Sequence, residues 1–422
     1  MRSASATALA LVVLVLTGTG VASAQQPAPP DHTHDQAPAP SLDPRAWSVS
    51  LDGTLFATFN HQGGRRGETE FRSQNWLMAH ATRRLGPGSF SALGMLSVEP
   101  LTAPGRGYSQ IFQGGEAYEG LQITDHQHPH DLLMQLSAAW SLSPSAGTSV
   151  TIAGALVGEP ALGPVPFMHR ASSAENPTAP LSHHILDSTH MSSGVVLGRI
   201  DRGVFSIETS VFRGREADEH RYDLDLGALD SWSIRGWVRP TPSWDIQVSH
   251  GFLEEPEALE PGDQRRTSAS ASWTRLRASG FSAVTAAFGR NRRPFSTLDA
   301  VLAEGTLKRG RWSLYGRVEY TEVETEILLF PGVVHVPHPG ELVDLVRAFT
   351  AGAVRDVATI RGLAWGIGGD VTAYGVPPIL QNTHDARPVS FHVFLRVARS
   401  DPLRRMWNMT MAEHGARNHG HH

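Results

Sequence analysis

The sequence contains no cysteine and almost no lysine. The absence of Cys from the 422 residues excludes a disulfide framework and any thiolate metal site. Lys308 is the only lysine among 36 Lys and Arg residues, so nearly all of the positive charge is arginine, which suits fixed bidentate contacts. The formal net charge is −5, and no basic stripe or block indicates a nucleic-acid partner.

Long apolar runs are also missing after the first residues of the chain. Arg2 precedes an apolar stretch over 8–16, and Ala22-Ser23-Ala24 forms a small-x-small cleavage site. These features predict a secretory signal peptide over 1–24, with an uncleaved membrane anchor as the alternative. No later segment approaches the roughly 18 consecutive apolar residues of a membrane helix. We therefore expect an exported protein that is held together without disulfides.

From residue 47 onward, apolar and polar residues alternate with a period of two. In the segment 244–252, for example, Trp244 and Ile246 alternate with Asp245 and Gln247. Such segments predict strands with one apolar face and one polar face, and most have the length of a tilted strand that crosses a bilayer. About sixteen of them begin near Trp47, Glu70, Ser89, Leu132, Thr148, Thr189, Val204, Asp230, Ser243, Arg265, Gly280, Thr297, Arg311, Val346, Ile360 and Val389.

The connections between these segments alternate between short and long, as in 85–88 and 143–147 against 99–131 and 159–188. This rhythm predicts an all-β fold, a closed antiparallel transmembrane β-barrel of about 16 strands with short periplasmic turns and long outer loops. A soluble periplasmic β-sandwich or propeller is the alternative. The predicted regions are a signal peptide (1–24), a disordered Pro/Ala/His arm (25–45), the barrel (46–400) and a Met/His-rich tail (401–422).

The polar face of the segments carries charged residues that would make a poor dry core. They would suit the lining of a water-filled lumen. The expected lumen-lining residues are Glu208, Arg235, Asp245, Arg317, Glu319 and Arg396. Tryptophans near segment ends would form the aromatic girdles of such a barrel; they are Trp47, Trp76, Trp140, Trp232, Trp244, Trp273 and Trp312.

Histidines concentrate in two of the long loops. In the stretch 125–131 they occupy positions i, i+2 and i+4, which share one face of an extended segment. With no thiolate in the chain, imidazole and carboxylate would favour ions such as Cu or Zn, although no cofactor is required. The candidate metal ligands are Asp125, His126, His128, His130, Asp131, His169, His183, His184, Asp187 and His190. Met168 beside His169 adds a soft ligand, and the tails beyond 401 are interpreted as disordered arms that capture metal weakly.

Two other interpretations of these histidines stand beside metal binding. They could pack and form hydrogen bonds over the barrel mouth without any ion, or they could serve catalysis. Catalysis has little support, because the sequence lacks a G-x-S-x-G elbow, a P-loop and an H-E-x-x-H motif.

With its signal peptide, amphipathic segments and loop rhythm, the sequence over about 47–399 resembles Gram-negative outer-membrane porin-type barrels. The stretch D-H-Q-H-P-H-D at 125–131 resembles exported proteins of environmental bacteria, and the Met/His composition is weakly similar to copper-resistance outer-membrane proteins. The resemblance implies an outer-membrane location, lipid as a partner and homo-oligomers such as trimers. One departure is that porin-type barrels usually end on an aromatic-terminated strand, whereas here about twenty residues follow Arg399.

Three functions are consistent with these features. The first is a channel for passive diffusion of small polar solutes or ions. The second is a metal-handling barrel that uses the loop histidines. The third is a barrel enzyme or adhesin that acts through its long outer loops.

Overall fold

Sixteen strands form a closed barrel in the computed structural model, which describes residues 46–413. The expectations for the signal peptide, the 25–45 arm and the last nine residues lie outside this range. The barrel strands are β1 (Ser48–His61), β2 (Thr69–Leu85), β3 (Gly88–Leu96), β6 (Leu133–Ser145), β7 (Thr148–Gly158), β8 (Ser192–Arg202), β9 (Phe205–Phe212), β10 (Ser231–Val238), β11 (Trp244–Leu253), β12 (Gln264–Arg277), β13 (Gly280–Arg292), β14 (Thr297–Arg309), β15 (Trp312–Glu324), β16 (Val343–Ile360), β17 (Leu363–Gly375) and β18 (Val389–Arg399).

Each barrel strand pairs antiparallel with its neighbours, and β1 pairs with β18 from Thr54↔Ala398 to His61↔Phe391 to close the sheet. Closure leaves no strand edge with unpaired backbone groups. β4 (Tyr108–Tyr118) and β5 (Leu121–Gln127) form a separate hairpin, so that β3 pairs directly with β6. The predicted closed barrel of about 16 strands is thus confirmed, with every strand beginning within a few residues of its expected start.

Short helices occur in the connections. They are α1 (Glu99–Thr102), α2 (His183–Leu186), α3 (Thr325–Leu329) and α4 (Gln381–His384), together with 3-10 turns at Phe167–His169, Ala171–Ser173, Ser188–Met191, Pro378–Leu380 and Pro402–Arg404. Within residues 46–413 no helix has the length and apolar character needed to cross a membrane. The 3-10 turn at Ser188–Met191 explains why β8 begins at Ser192 and not at the expected Thr189.

The two faces of the barrel wall differ in polarity. In β10, Ser233 and Arg235 are buried while Trp232 and Ile234 are exposed. An apolar outer face and a polar inner face are what a barrel in a bilayer requires. Five of the tryptophans expected in girdles are exposed, namely Trp47, Trp140, Trp232, Trp244 and Trp312. The expectation for Trp76 is wrong, because its side chain lies inside the barrel against His169, with ring centroids 5.0 Å apart.

The long connection 159–191, which we call the plug loop, folds into the barrel. None of its residues is exposed. Backbone N–H groups of the loop donate to side chains of the inner wall. Ala161 N donates to Ser210 Oγ (2.9 Å) and Gly163 N donates to Ser249 Oγ (2.9 Å). Ser182 N donates to Glu319 Oε1 (3.1 Å). This loop therefore occupies the lumen and does not extend away from the mouth.

The chain beyond β18 also enters the barrel interior. Met406 N donates to Asp52 Oδ2 (2.8 Å), and the Trp407 ring packs on Phe281 with centroids 4.4 Å apart. Asn408 meets the plug loop, donating from its backbone N to His169 O at 2.9 Å. The expectation of a disordered arm is wrong for residues 405–413, because their apolar and polar groups find partners on the inner wall, whereas Leu403 and Arg404 are exposed. We call residues 405–413 the tail plug.

Candidate functional site

Five histidines meet where the segment that follows β5 packs against the plug loop, which contains α2. They are His128, His130, His183, His184 and His190, and we call them the histidine cluster. Neighbouring rings have centroids between 5.3 and 6.4 Å apart. The plug loop brings three of them to the two from the other loop, across a sequence separation that no local pattern reveals. Asp131, Glu116, Glu216 and Arg221 border the same cavity.

Carboxylates hold the rings of this cluster in place. Glu99 Oε2 bonds to His130 Nδ1 (2.9 Å), Glu116 Oε1 lies 2.7 Å from His128 Nε2, and Asp187 Oδ1 bonds to His183 Nδ1 (2.5 Å). A carboxylate on one imidazole nitrogen fixes the tautomer and directs the other nitrogen, which is the usual arrangement behind a metal ligand. It is also how a buried histidine without an ion is satisfied.

Three ring nitrogens of the cluster distinguish these interpretations: His184 Nδ1, which is buried without a hydrogen-bond partner, and the Nε2 atoms of two other members. The Nε2 atoms of His130 and His190 are buried and have no hydrogen-bond partner, although their Nδ1 atoms are bonded to Glu99 and to Asp187 O. Leaving a buried polar atom unpaired costs about 1–3 kcal/mol. These nitrogens are available as ligands, and none is explained by the packing of the cluster.

The cluster does not form a closed coordination shell in its present geometry. Among residues 46–413, the one set of three candidate ligands whose atoms lie within 4.8 Å of one another is Asp218, Asp223 and Asp225. Those aspartates are on a loop outside the barrel, and two of them are exposed. An ion in the histidine cluster would need at least one imidazole to rotate before it could contact three nitrogens.

Burial keeps most of the cluster neutral. It lowers the pKa of His183 and His190, and burial together with the neighbouring His183 lowers the pKa of His184 to about 3. His128 is the exception: burial opposes its charge, but Glu116 raises its pKa above the ordinary value. Neutral imidazole is the form that binds metal, so His183, His184 and His190 are in their ligand form near neutral pH.

The remaining sequence-predicted ligands lie elsewhere or serve other contacts. Asp125 accepts from Phe112 N and lies 3.0 Å from His384 Nε2. His126 lies 3.8 Å from Glu68, and not in the cluster.

Three other predicted ligands adjoin the cluster. Asp187 pairs with Arg170 and stands behind His183. His169 lies on the far side of His130, toward Trp76 and the tail plug. Asp131 pairs with Arg221 at 3.3 Å, and burial raises its pKa to about 6.

The residues expected to line the lumen are engaged in ion pairs. Glu208 and Arg235 are fully buried and pair at 2.7 Å, while Arg235 also holds Glu159 of the plug loop at 2.7 Å. Arg317 pairs with Glu304 at 2.9 Å, and Arg396 with Glu175 of the plug loop at 3.0 Å. Glu319 accepts from Ser182, and Asp245 pairs with Arg239 at 2.6 Å. These charges meet the plugs, and not open water.

Sequence reasoning missed Glu99, Glu116 and Arg221, which orient or border the cluster. It also missed Met78, Met95 and Met134, which occupy inward positions on three wall strands. The sequence around Glu99, which begins α1, gave no local signal of its contact with His130. The methionines looked like ordinary apolar residues of the alternating pattern.

No protein-family profile and no curated protein matches the chain. Solved outer-membrane structures resemble it. A porin is 13% identical, over 83% of this chain and 100% of that one, with a TM-score of 0.43. OprB of Pseudomonas putida is 10% identical (84% and 94% covered, TM-score 0.49). OmpF of Salmonella typhi, solved with daunomycin, is 8% identical (82% and 97%, TM-score 0.48). The closed sixteen-stranded antiparallel barrel of the structure bears out the expected resemblance to porin-type barrels, and that resemblance concerns the fold alone.

The buried His169 gives a prediction on pH. Burial and Arg405 lower its pKa to about 4 from an ordinary value of 6.5. Its neutral form stabilises the folded state above pH 6.5, and that contribution is lost as the pH falls toward 4. For this group alone the loss is about 2–3 kcal/mol. Asp131 and Glu159, whose pKa values burial raises to about 6 and about 7, change stability in the opposite direction, so the comparison must be between variants.

We expect the wild type to lose more free energy of unfolding than His169→Gln when the pH is lowered from 7.5 to 4. Urea unfolding followed by tryptophan fluorescence measures this difference. His220→Gln, which alters an exposed histidine, is the control and should follow the wild type. An identical pH dependence for His169→Gln and the wild type would show that His169 does not titrate at a depressed pKa.

Proposed function

We propose that the protein is a porin-like channel of the bacterial outer membrane that conducts small ions, and that its own plug loop and tail plug close it at rest. The apolar outer face of a closed antiparallel barrel supports the membrane location. The filled lumen is the observation that carries the rest. A wide pore for larger polar solutes is disfavoured, because both plugs are packed against the inner wall. Association of several copies stays a prediction.

The plugs are held in a way that permits movement without opening the sheet. The plug loop is an internal connection and the tail plug is a terminus, so neither contributes a strand to the barrel. Their contacts with the wall combine hydrogen bonds and ion pairs with apolar packing. The inner wall that they cover is rich in Arg, Glu, Ser and Thr, which can hydrate and carry ions once a plug withdraws. An enzyme or adhesin that acts through extended outer loops has less support, because one of the two long connections, the plug loop, faces inward.

Arg170 offers a direct test of this gate. Its guanidinium is 1% exposed and joins Asp187 (2.5 Å) to the wall residue Glu304 (2.7 Å). Breaking a buried pair by removing one partner costs about 3–5 kcal/mol, so Arg170→Met should raise the frequency of open steps roughly tenfold or more. Single-channel recording of the refolded protein in a planar bilayer measures this.

The matched control is Arg290→Met, which removes an arginine from an exposed pair with Asp299. It should leave the recordings unchanged. Large, continuously open steps in the wild type would contradict closure at rest. Equal conductance in Arg170→Met and the wild type would show that this ion pair does not hold the gate.

A second candidate function is metal handling, with Zn(II) or Cu(II) bound at the histidine cluster. The unpaired Nε2 atoms of His130 and His190 favour it, since borderline divalent ions bind neutral imidazole. Glu99, Glu116 and Asp187 would orient the rings from behind. An ion at this place would lie on the outer side of the plugs and would couple metal binding to the gate.

We expect His130→Gln/His190→Gln to weaken Zn(II) binding by more than roughly tenfold, since even the partners behind metal ligands contribute that much. Isothermal titration of the folded barrel in detergent gives the affinity. His126→Gln is the matched control, because His126 belongs to the same loop but lies outside the cluster. Unchanged Zn(II) affinity in the double variant would eliminate the cluster as a metal site.

A further inference from the structure

All eight methionines between residues 46 and 413 gather in one part of the barrel interior, and the ninth is Met1. Met78, Met95, Met134 and Met406 form a buried cluster with Trp76 and Leu93, and Met168, Met191 and Met409 pack against it. Met411 lines a cavity together with three of its members. These residues come from three wall strands, from the plug loop and from the tail plug, so the gathering arises only in the folded barrel.

Four of these thioethers and two imidazoles surround one cavity, which we call the methionine chamber. Its ligand-bearing residues are Met95, Met134, Met409, Met411, His169 and His190. Gln135, Glu159 and Pro166 complete the lining. The wall supplies two thioethers, the tail plug supplies two, and the plug loop supplies both imidazoles. The chamber therefore exists only when both plugs are in place.

His190 provides an independent indication that the chamber takes a ligand. Its side chain is buried, with 9% exposure, and its Nδ1 is held by Asp187 O at 2.9 Å. Its Nε2 has no hydrogen-bond partner. The same residue borders the cavity of the histidine cluster, with its ring 5.5 Å from that of His130. His190 thus stands between the two cavities.

Methionine is also an ordinary filler of irregular cores, but the rest of the lumen argues against that explanation here. The other large apolar clusters of this interior are built from aliphatic residues with Phe and Tyr, and only one of them contains a methionine, Met411, which itself lines the chamber. A core that needed only apolar volume would not require thioethers from every contributing segment. Four of their sulfurs meet at one cavity, which indicates that sulfur itself is used.

The ligand chemistry identifies the ion. Thioethers are soft ligands and neutral imidazole is a borderline one, so this set favours Cu(I) over hard cations such as Mg²⁺ and Ca²⁺, which prefer oxygen. We propose that the methionine chamber binds a soft monovalent cation, Cu(I) in the cell and Ag(I) as its laboratory equivalent. The chamber shares His190 with the histidine cluster, but its sulfur ligands lie outside that cluster, and the inference stands whether or not the cluster binds Zn(II) and whether or not the barrel conducts.

The test uses Ag(I), which is stable in air, added to the full-length mature protein folded in detergent. Bound silver is measured by mass spectrometry after desalting, and affinity by competition with a thioether ligand. We expect the wild type to retain one Ag(I) per chain. Met134→Leu/Met409→Leu should bind at least roughly tenfold more weakly, since it removes two sulfurs at nearly constant volume.

The matched control is Met78→Leu/Met406→Leu. Both residues belong to the same buried cluster but do not line the chamber, so this variant should bind silver as the wild type does. Equal loss in the two double variants would overturn the chamber in favour of scattered thioether binding. Absence of retained silver in the wild type would overturn the proposal outright.

Two further measurements separate this inference from the proposed function. Zn(II) titration of Met134→Leu/Met409→Leu should give the wild-type affinity, which would show that the interior is intact. X-ray absorption at the silver edge of the wild-type complex should reveal sulfur together with nitrogen neighbours. A shell of nitrogen and oxygen alone would place the ion in the histidine cluster and contradict the chamber, independently of any result on conductance.

Discussion

The arrangement of the lumen depends on one buried guanidinium. Arg170 joins Glu304 on the wall to Asp187 at the other end of the plug loop, and Glu304 is shared with Arg317. Because a charge taken out of water must be paired to be tolerated, these four side chains fix where the loop enters and where it turns back. Asp187 in turn holds His183 and, through its carbonyl, His190. The position of the candidate site therefore follows from the ion pair that anchors the plug.

The ion pairs of Arg170 therefore determine both how the lumen is filled and which side chains lie together in it. The same inward face that would hydrate an open pore supplies partners for the plug, so charges such as Glu208 and Arg235 serve closure while the loop is in place. Imidazoles lie toward one end of the packed interior and thioethers toward the tail plug, with His190 between them. If both proposed sites bind as described, an ion that moves inward meets nitrogen ligands before sulfur ligands.

The barrel could be predicted from sequence because strand alternation is local, whereas the contents of the lumen could not. Arg170 and Glu304 are 134 residues apart, and nothing near either residue identifies the other. The prediction from alternation also failed where the backbone departs from an extended strand. β5 ends at Gln127, so the two-residue period does not continue through 128–131, and His126 lies beside Glu68 while His128 and His130 meet the plug loop. A metal-binding role for the inward methionines of the wall could be proposed only from the structure, because the plug loop and the tail place further sulfurs beside them.

Hydrogen exchange of the folded protein in detergent tests the central claim, that the chain fills its own lumen, most directly. If it is correct, amides within 159–191 and 405–413 exchange far more slowly than those of the loop 214–230 outside the barrel, and approach the protection of the wall strands. Exchange in 159–191 as fast as in the outer loop would mean that the lumen is open, and the account of both the gate and the metal sites would fail with it.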